Sequence, residues 1–147
     1  EETCRHQYAL LCRKLREAGY RHYEISNFAK AGYETVHNSG YWARRPYVGL
    51  GPAAHSFSGK GRSWNEAVLD RYTHTEEALS LEDEKVETLM LALRTARGVD
   101  GEFLLANAMP GSVEEMLRSG ALVQEGRRYR IPEDHFFVSD QIIRELI

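Results

Sequence analysis

The sequence is short of cysteine, of long apolar runs and, over one stretch, of acid. Its two cysteines, Cys4 and Cys12, are too few for a disulfide framework and wrongly spaced for the C-x-x-C pairs of a zinc site. That scarcity points to a reducing, cytoplasmic setting. No apolar run approaches the roughly 20 residues that a membrane-crossing helix needs, and the first residues are charged rather than signal-like. Attachment to a membrane surface without a span stays open. The absence of internal repeats and low-complexity tracts excludes solenoids and linker arrays. With 42% hydrophobic and 10% aromatic residues the chain still has the apolar mass to close a core, so intrinsic disorder is excluded as well. At 147 residues it makes one domain or two small ones, and its opening on Glu1 in place of Met reads as a piece of something longer.

The net charge of −3 is too mild to imply bulk attraction to nucleic acid or anionic lipid, but the charges are unevenly spread. From Thr35 through Asn65 there is no Asp or Glu. That span holds the bases Arg44, Arg45, Lys60 and Arg62, the histidines His37 and His55, and the rings of Tyr41, Trp42, Tyr47, Phe57 and Trp64. Gly40, Gly49, Gly51, Gly59 and Gly61 are interleaved with them. Arginine forks onto carboxylates, flat rings pack against planar groups, and glycine lets backbone approach a ligand closely. Together they suit a large, flat, anionic ligand; the competing reading is that the rings are ordinary core.

Periodicity and punctuation outline the elements. Tyr8, Leu11, Cys12, Leu15 and Ala18 form the stripe of an amphipathic helix over residues 3–18, with Gly19 as its stop. A strand over 20–26 follows, as in an α/β unit, and then a long loop over 27–43. Short strands at 47–50 and 54–57 flank a Gly49-Leu-Gly51-Pro52 turn, and the pattern turns helical over about 66–79. Ser80 with Asp83 has capping-box spacing and opens a helix striped by Val86, Leu89, Met90, Leu93 and Ala96, up to Gly98. Short helices at 101–106 and 112–119, a hairpin turning at Glu125-Gly126, and a last helix over 139–146 complete a winged-helix outline. A domain boundary is expected near Ser80.

Chemistry has several candidate seats. His37, in the long loop, fits an iron ligand, a general base or a plain cap. His55 beside Ser56 invites a nucleophile reading that lacks a local acid to orient the imidazole. His6, His22, His74 and His135 are expected on the surface. Gly49-x-Gly51-x-x-Ala54 only superficially matches a dinucleotide fingerprint, because Pro52 intrudes and no helix follows; a Walker lysine is missing. A winged-helix reader of nucleic acid needs a basic face, yet residues 98–147 carry five Arg, no Lys and nine acids. A structural or docking role suits that half better, and no nucleic-acid partner is expected.

Four motifs, Tyr23-Glu-Ile-Ser-Asn-Phe-Ala-Lys30, His37-Asn-Ser-Gly-Tyr41-Trp42, Tyr47-Val-Gly-Leu-Gly-Pro-Ala-Ala-His-Ser-Phe57 and Leu93-Arg-Thr-x-x-Gly98, carry a resemblance. The chain resembles the C-terminal part of the oxygen-independent coproporphyrinogen III oxidase family of radical S-adenosylmethionine proteins, and within it the HemW-like haem chaperone branch. Ala31 stands where the family usually has proline, and Ala53 where glycine is usual. The resemblance implies an α+β fold: the C-terminal end of an incomplete TIM-like barrel (residues 1–79), then a small helical winged-helix-like domain (residues 80–147). It also implies a [4Fe–4S] cluster and S-adenosylmethionine on a C-x-x-x-C-x-x-C motif in a preceding barrel. This sequence has no such triplet, so the chain alone should perform no radical chemistry. His-Asn-x-x-Tyr marks the haem-binding branch and is met by His37, Asn38 and Tyr41. By resemblance His37 would ligate haem iron with Asn38 and Tyr41 in support. Arg44, Arg45 and Arg62 would meet the propionates, and Gly49, Gly51 and His55 would line a ligand segment. The implied partners are haem or a porphyrin, the protein's own barrel, and proteins that accept haem. The rival implied activity is oxidative decarboxylation of coproporphyrinogen III, whose four carboxylates would suit the same basic patch.

Overall fold

In the computed structural model, which describes residues 2–71 and 73–147, helices and small antiparallel sheets alternate along the chain. Helix α1 (Glu2–Glu17) turns Tyr8, Cys12 and Leu15 inward, while Leu11 and Ala18 of the expected stripe stay exposed. Gly19 takes the left-handed conformation that a side chain resists, and the Tyr20 N–H donates to the Leu15 carbonyl at 2.9 Å to close the helix. Strand β1 (Arg21–Glu24) follows, as expected after a helix. Its described partner is antiparallel, β2 (Asn27–Ala29), so the supposed loop begins with the second arm of a hairpin. Farther along that stretch lies a short helix, α2 (Val36–Trp42).

Strands β3 (His55–Phe57), β4 (Gly61–Asn65) and β5 (His74–Ala78) form an antiparallel meander in that order. The short strand expected at 47–50 reduces to one bridge between Tyr47 and Phe57. The helix expected over 66–79 is not formed: a 3₁₀ turn (Leu69–Arg71) and β5 occupy it, with Tyr72 outside the described residues. Glu76, Glu77 and Ala78 favour a helix locally, but β5 is decided by pairing along its whole length with β4, where Arg62 stands opposite Glu77.

From Ser80 on, expectation and structure agree in element order, but the helix opened by Ser80 stops at Leu93 rather than at Gly98, and Val86 and Ala96 of its expected buried stripe are exposed. Ser80 Oγ accepts the Asp83 N–H at 3.1 Å and the Asp83 carboxylate accepts the Ser80 N–H at 3.2 Å, a complete capping box for α3 (Leu81–Leu93). Strand β6 (Val99–Asp100), helices α4 (Gly101–Asn107) and α5 (Ser112–Ser119), and the hairpin of β7 (Val123–Glu125) and β8 (Arg128–Arg130) build a winged-helix-like unit with sheet order β6-β8-β7. A 3₁₀ turn (Glu133–Val138) and α6 (Ser139–Leu146) close it. The core is almost entirely here: Leu89, Leu93, Leu104, Leu122, Ile131, Phe136 and Leu146 are fully buried.

The earlier residues are stitched to this core mainly by polar bonds. Ile25 N–H donates to the Arg94 carbonyl at 2.9 Å, and Ala96 N–H to the Tyr23 carbonyl at 3.0 Å. Tyr8 adds an apolar contact, its ring 5.5 Å from that of Phe137. Among the described residues no sheet closes into a barrel, and no helix is long and apolar enough to cross a membrane.

Candidate ligand-binding site

Helix α2 carries the signature residues. His37 and Tyr41, four apart, share one face, their rings 4.5 Å apart and edge-on. Tyr41 in turn meets Tyr47 at 4.6 Å, and Tyr47 meets Phe57 at 6.2 Å, so a run of rings leads from the helix to β3. Of the aromatics in the acid-free stretch only Phe57 is buried, so these rings are not an ordinary core. His37 is exposed and its ring makes no hydrogen bond among the described residues, while Asn38 is half-buried. Asn38, Tyr41 and Trp42 line a pocket of about 330 Å³ closed by Leu91 and Glu24. On the other side of Tyr41 a second pocket of about 260 Å³ runs between Tyr47, Phe57, Arg44, Arg62 and Glu87.

The three arginines separate. Arg44 sits just past α2 in the left-handed region (φ 51°), where the Arg45 N–H donates back to the Gly40 carbonyl at 2.9 Å. A non-glycine residue there costs on the order of 1 kcal/mol. That backbone aims its guanidinium under α3, 5.0 Å from the Phe57 ring, with bonds to the Glu87 carboxylate and, at 3.2 Å, to the Glu84 carbonyl. Burial lowers the pKa of Arg44 from the ordinary guanidinium value; Glu84 opposes the shift and Arg62 adds to it. Arg44 nevertheless stays charged at neutral pH. Arg62, from β4, reaches the other oxygen of Glu87 and is far more exposed, 44% against 13% for the side chain of Arg44. Two guanidiniums on one carboxylate leave one positive charge in excess. Arg45 is exposed on the opposite side of α2, beside a larger pocket shared with Arg21, Arg97 and Trp42.

Glu87 is the residue that sequence reasoning missed. The acid absent from residues 35–65 is supplied by α3, from a position three before Met90 and four before Leu91. A carboxylate on the apolar side of a helix was the available signal, since it has to be paired when buried.

The segment after Tyr47 has a structural duty. A Cβ on Gly49 would fall 2.1 Å from the His55 carbonyl oxygen, so only glycine fits there, and its N–H donates to Ser56 Oγ at 2.9 Å. Gly51 has φ 101°, and Ala53, where the family usually has glycine, is itself left-handed at φ 57°. His55 is exposed, its ring 6.3 Å from that of Trp64. Neighbouring strand residues face opposite ways, so His55 and Ser56 do not form a nucleophile pair. Exposed Val48 and Leu50 flank Gly49, and exposed Val36 and Tyr33 lie on and before α2. One expected surface residue is instead buried: His22, at 8% exposure, stacks on Phe28.

By fold, the chain is similar to the C-terminal region of a solved radical S-adenosylmethionine enzyme. Coproporphyrinogen III oxidase (HemN) from Escherichia coli, described as a radical SAM enzyme, superposes on 93% of the chain and 39% of its own length, with a TM-score of 0.64 at 11% identity. The sequence comparison is more particular. A protein named heme chaperone HemW from Mycobacterium tuberculosis is 29% identical over the whole chain. The Bacillus subtilis heme chaperone HemW is 34% identical over 63% of the chain. A Danio rerio protein named radical S-adenosyl methionine domain-containing protein 1, mitochondrial, is 28% identical over 91% of it. The resemblance carried by the motifs is thus borne out along the full chain, which spans about 40% of the length of the M. tuberculosis relative. No family model matches the chain.

Proposed function

We propose that this chain is the haem-handling portion of a HemW-like haem chaperone, with His37 as the ligand to the iron of its cargo. The observation that carries the reading is the placement of His37: an exposed imidazole with no hydrogen-bond partner among the described residues, on a helix that buries nothing. Val36 precedes it on the helix and Tyr41 packs against its ring, both unburied. An imidazole with a free nitrogen beside an apolar surface is the donor set that haem iron takes. Asn38 and Tyr41 shape the helix face, and the run of rings to Tyr47 offers a planar ligand a flank. Arg45 is the guanidinium open to propionates and Arg62, paired with Glu87 but 44% exposed, is the second, whereas Arg44, paired with Glu87 at 13% exposure, sets the electrostatics of the site from below. Gly49 and Gly51 shape the neighbouring segment, with Val48 and Leu50 as its apolar contacts, and His55, exposed on β3, takes no part in holding the iron in this reading.

The residues present do not fit an iron–sulfur cluster. Cys4 is exposed, Cys12 is buried, and both lie on one helix, whereas a cluster needs several thiolates around one loop. In our reading the cluster, S-adenosylmethionine and most of a barrel belong to the longer protein, residues 1–79 of this chain are the ligand-facing part, and residues 80–147 are the scaffold. The longer protein would pass haem to acceptor proteins.

Haem titration of the full chain, followed in the Soret region, tests this. His37→Ala is expected to weaken binding at least tenfold and to shift the band, about 1.4 kcal/mol or more of lost affinity. An iron-free porphyrin with the same carboxylates gains nothing from an imidazole, so its affinity should be unchanged by the substitution. Equal haem affinity and an unchanged spectrum in His37→Ala would overturn the assignment. A loss shared equally with the iron-free porphyrin would favour the coproporphyrinogen reading instead.

A further inference from the structure

Where α1 and β1 meet the 3₁₀ turn of the C-terminal half, three groups converge that nothing described so far uses. Cys12 Sγ, a His22 ring nitrogen and a Glu133 carboxylate oxygen all lie within 4.8 Å of one another. The His22 side chain is 1% exposed. Its Nε2 sits 3.2 Å from the Ile25 carbonyl, an acceptor, so Nε2 carries the proton and donates. Nδ1 therefore presents a lone pair, is buried without a hydrogen-bond partner, and stands 3.5 Å from Glu133 Oε1, another acceptor. A ring lone pair and a carboxylate oxygen facing each other repel unless a proton or a metal cation lies between them.

We propose that this cluster is a divalent metal site, suited to Zn²⁺, formed by Cys12, His22 and Glu133. Thiolate, imidazole and carboxylate together are a zinc donor set. Ligand atoms around one tetrahedral ion stand about 3.5 Å apart, the spacing His22 and Glu133 already have, so only Cys12 needs adjustment. The surroundings are those of a prepared site. The Ile25 carbonyl fixes the tautomer of His22, as a second contact does for most metal-bound histidines. Arg16 holds the other carboxylate oxygen of Glu133 at 2.6 Å and so aims Oε1 inward. As the ion enters it would displace the Cys12 thiol proton to solvent. Cys12 and Glu133 also wall a cavity of about 330 Å³ whose lining includes His135, with a second buried Nδ1 that has no partner. That cavity has room for a water as fourth ligand. The ion would pin α1 and β1 to the turn that precedes α6.

Cobalt substitution reads the site directly. The full chain, freed of metal and titrated with Co²⁺ and then Zn²⁺, should bind one equivalent with a sulfur-to-metal charge-transfer band. Cys12→Ser should abolish the band and Cys4→Ser should leave it intact. Glu133→Gln, which keeps the side chain's size and an acceptor for Arg16, should weaken Zn²⁺ binding at least tenfold while circular dichroism stays that of the parent. The site is refuted if no stoichiometric ion binds, if the band survives Cys12→Ser, or if Glu133→Gln binds Zn²⁺ as tightly as the parent. Should Cys12→Ser fail to fold by circular dichroism, the Glu133→Gln titration decides the matter alone.

Discussion

The two halves of this molecule are built by different means. Residues 81–147 have thirteen buried residues clustered in one core, while the described residues before them bury only Cys12, Ala29 and Phe57 among their hydrophobics. The first half leaves Tyr33, Val36, Val48 and Leu50 in the open and is held by backbone bonds to Tyr23 and Ile25 and by ion pairs to Glu87 and Glu133. A core-rich half beside a core-poor half that exposes rings, guanidiniums and an unpaired imidazole is the division expected of a scaffold and a ligand surface.

If that division is right, equal truncations should have unequal costs. Leu104→Ala, in the sealed core, should lower stability by about 3 kcal/mol in urea denaturation, and Val48→Ala, exposed, should change it by less than about 0.5 kcal/mol. A similar cost at both positions would mean the first half has a hidden core. Next in size is Glu87→Gln, which strands Arg44 beneath α3 and should cost about 2 to 3 kcal/mol, with Arg62 relieved by solvent. The cap of α3 is worth less. Ser80→Ala should cost about 1 kcal/mol. The hydrogen bonds from Ser80 hold the Asp83 carboxyl below its ordinary value of 3.8. A depressed carboxyl stabilises the fold above its unfolded value, and that stability is lost as pH falls through the folded one. The acid limb of the stability curve should therefore flatten in Asp83→Asn, and the Asp83 titration followed by NMR should return toward 3.8 in Ser80→Ala. The smallest effect is a gain: Ala53→Gly relieves a left-handed alanine and should stabilise by up to about 1 kcal/mol.

The same contrast explains what the sequence reveals. In the second half the bounds of α5 and α6, the capping box and the hairpin turn at Glu125-Gly126 all follow from local signals, because each helix has an apolar stripe pointing at a core. In the first half such stripes are scarce. Helix α2 buries nothing and contains Gly40, so no periodicity betrays it inside an apparent loop. Strand β5 is exposed at all five positions, and its acids read as helix until β4 pairs with it. The signature on α2 was legible as a motif, His37 with Asn38 and Tyr41, and the structure sets them on one short helix. Arg44 and Arg62 were legible as bases, but their shared partner Glu87 was not, because it arrives from α3. Cys12, His22 and Glu133 lie too far apart in sequence for any spacing rule, and only the packing of α1 on the C-terminal turn brings them together.

The central claim is that α2 exists to present His37, and the chain contains its own comparison, since His37 and His55 are both exposed histidines of the acid-free stretch. Haem affinity measured side by side in His37→Ala and His55→Ala should fall at least tenfold in the first and stay within about twofold of the parent in the second. Equal affinities in the two variants would contradict the account.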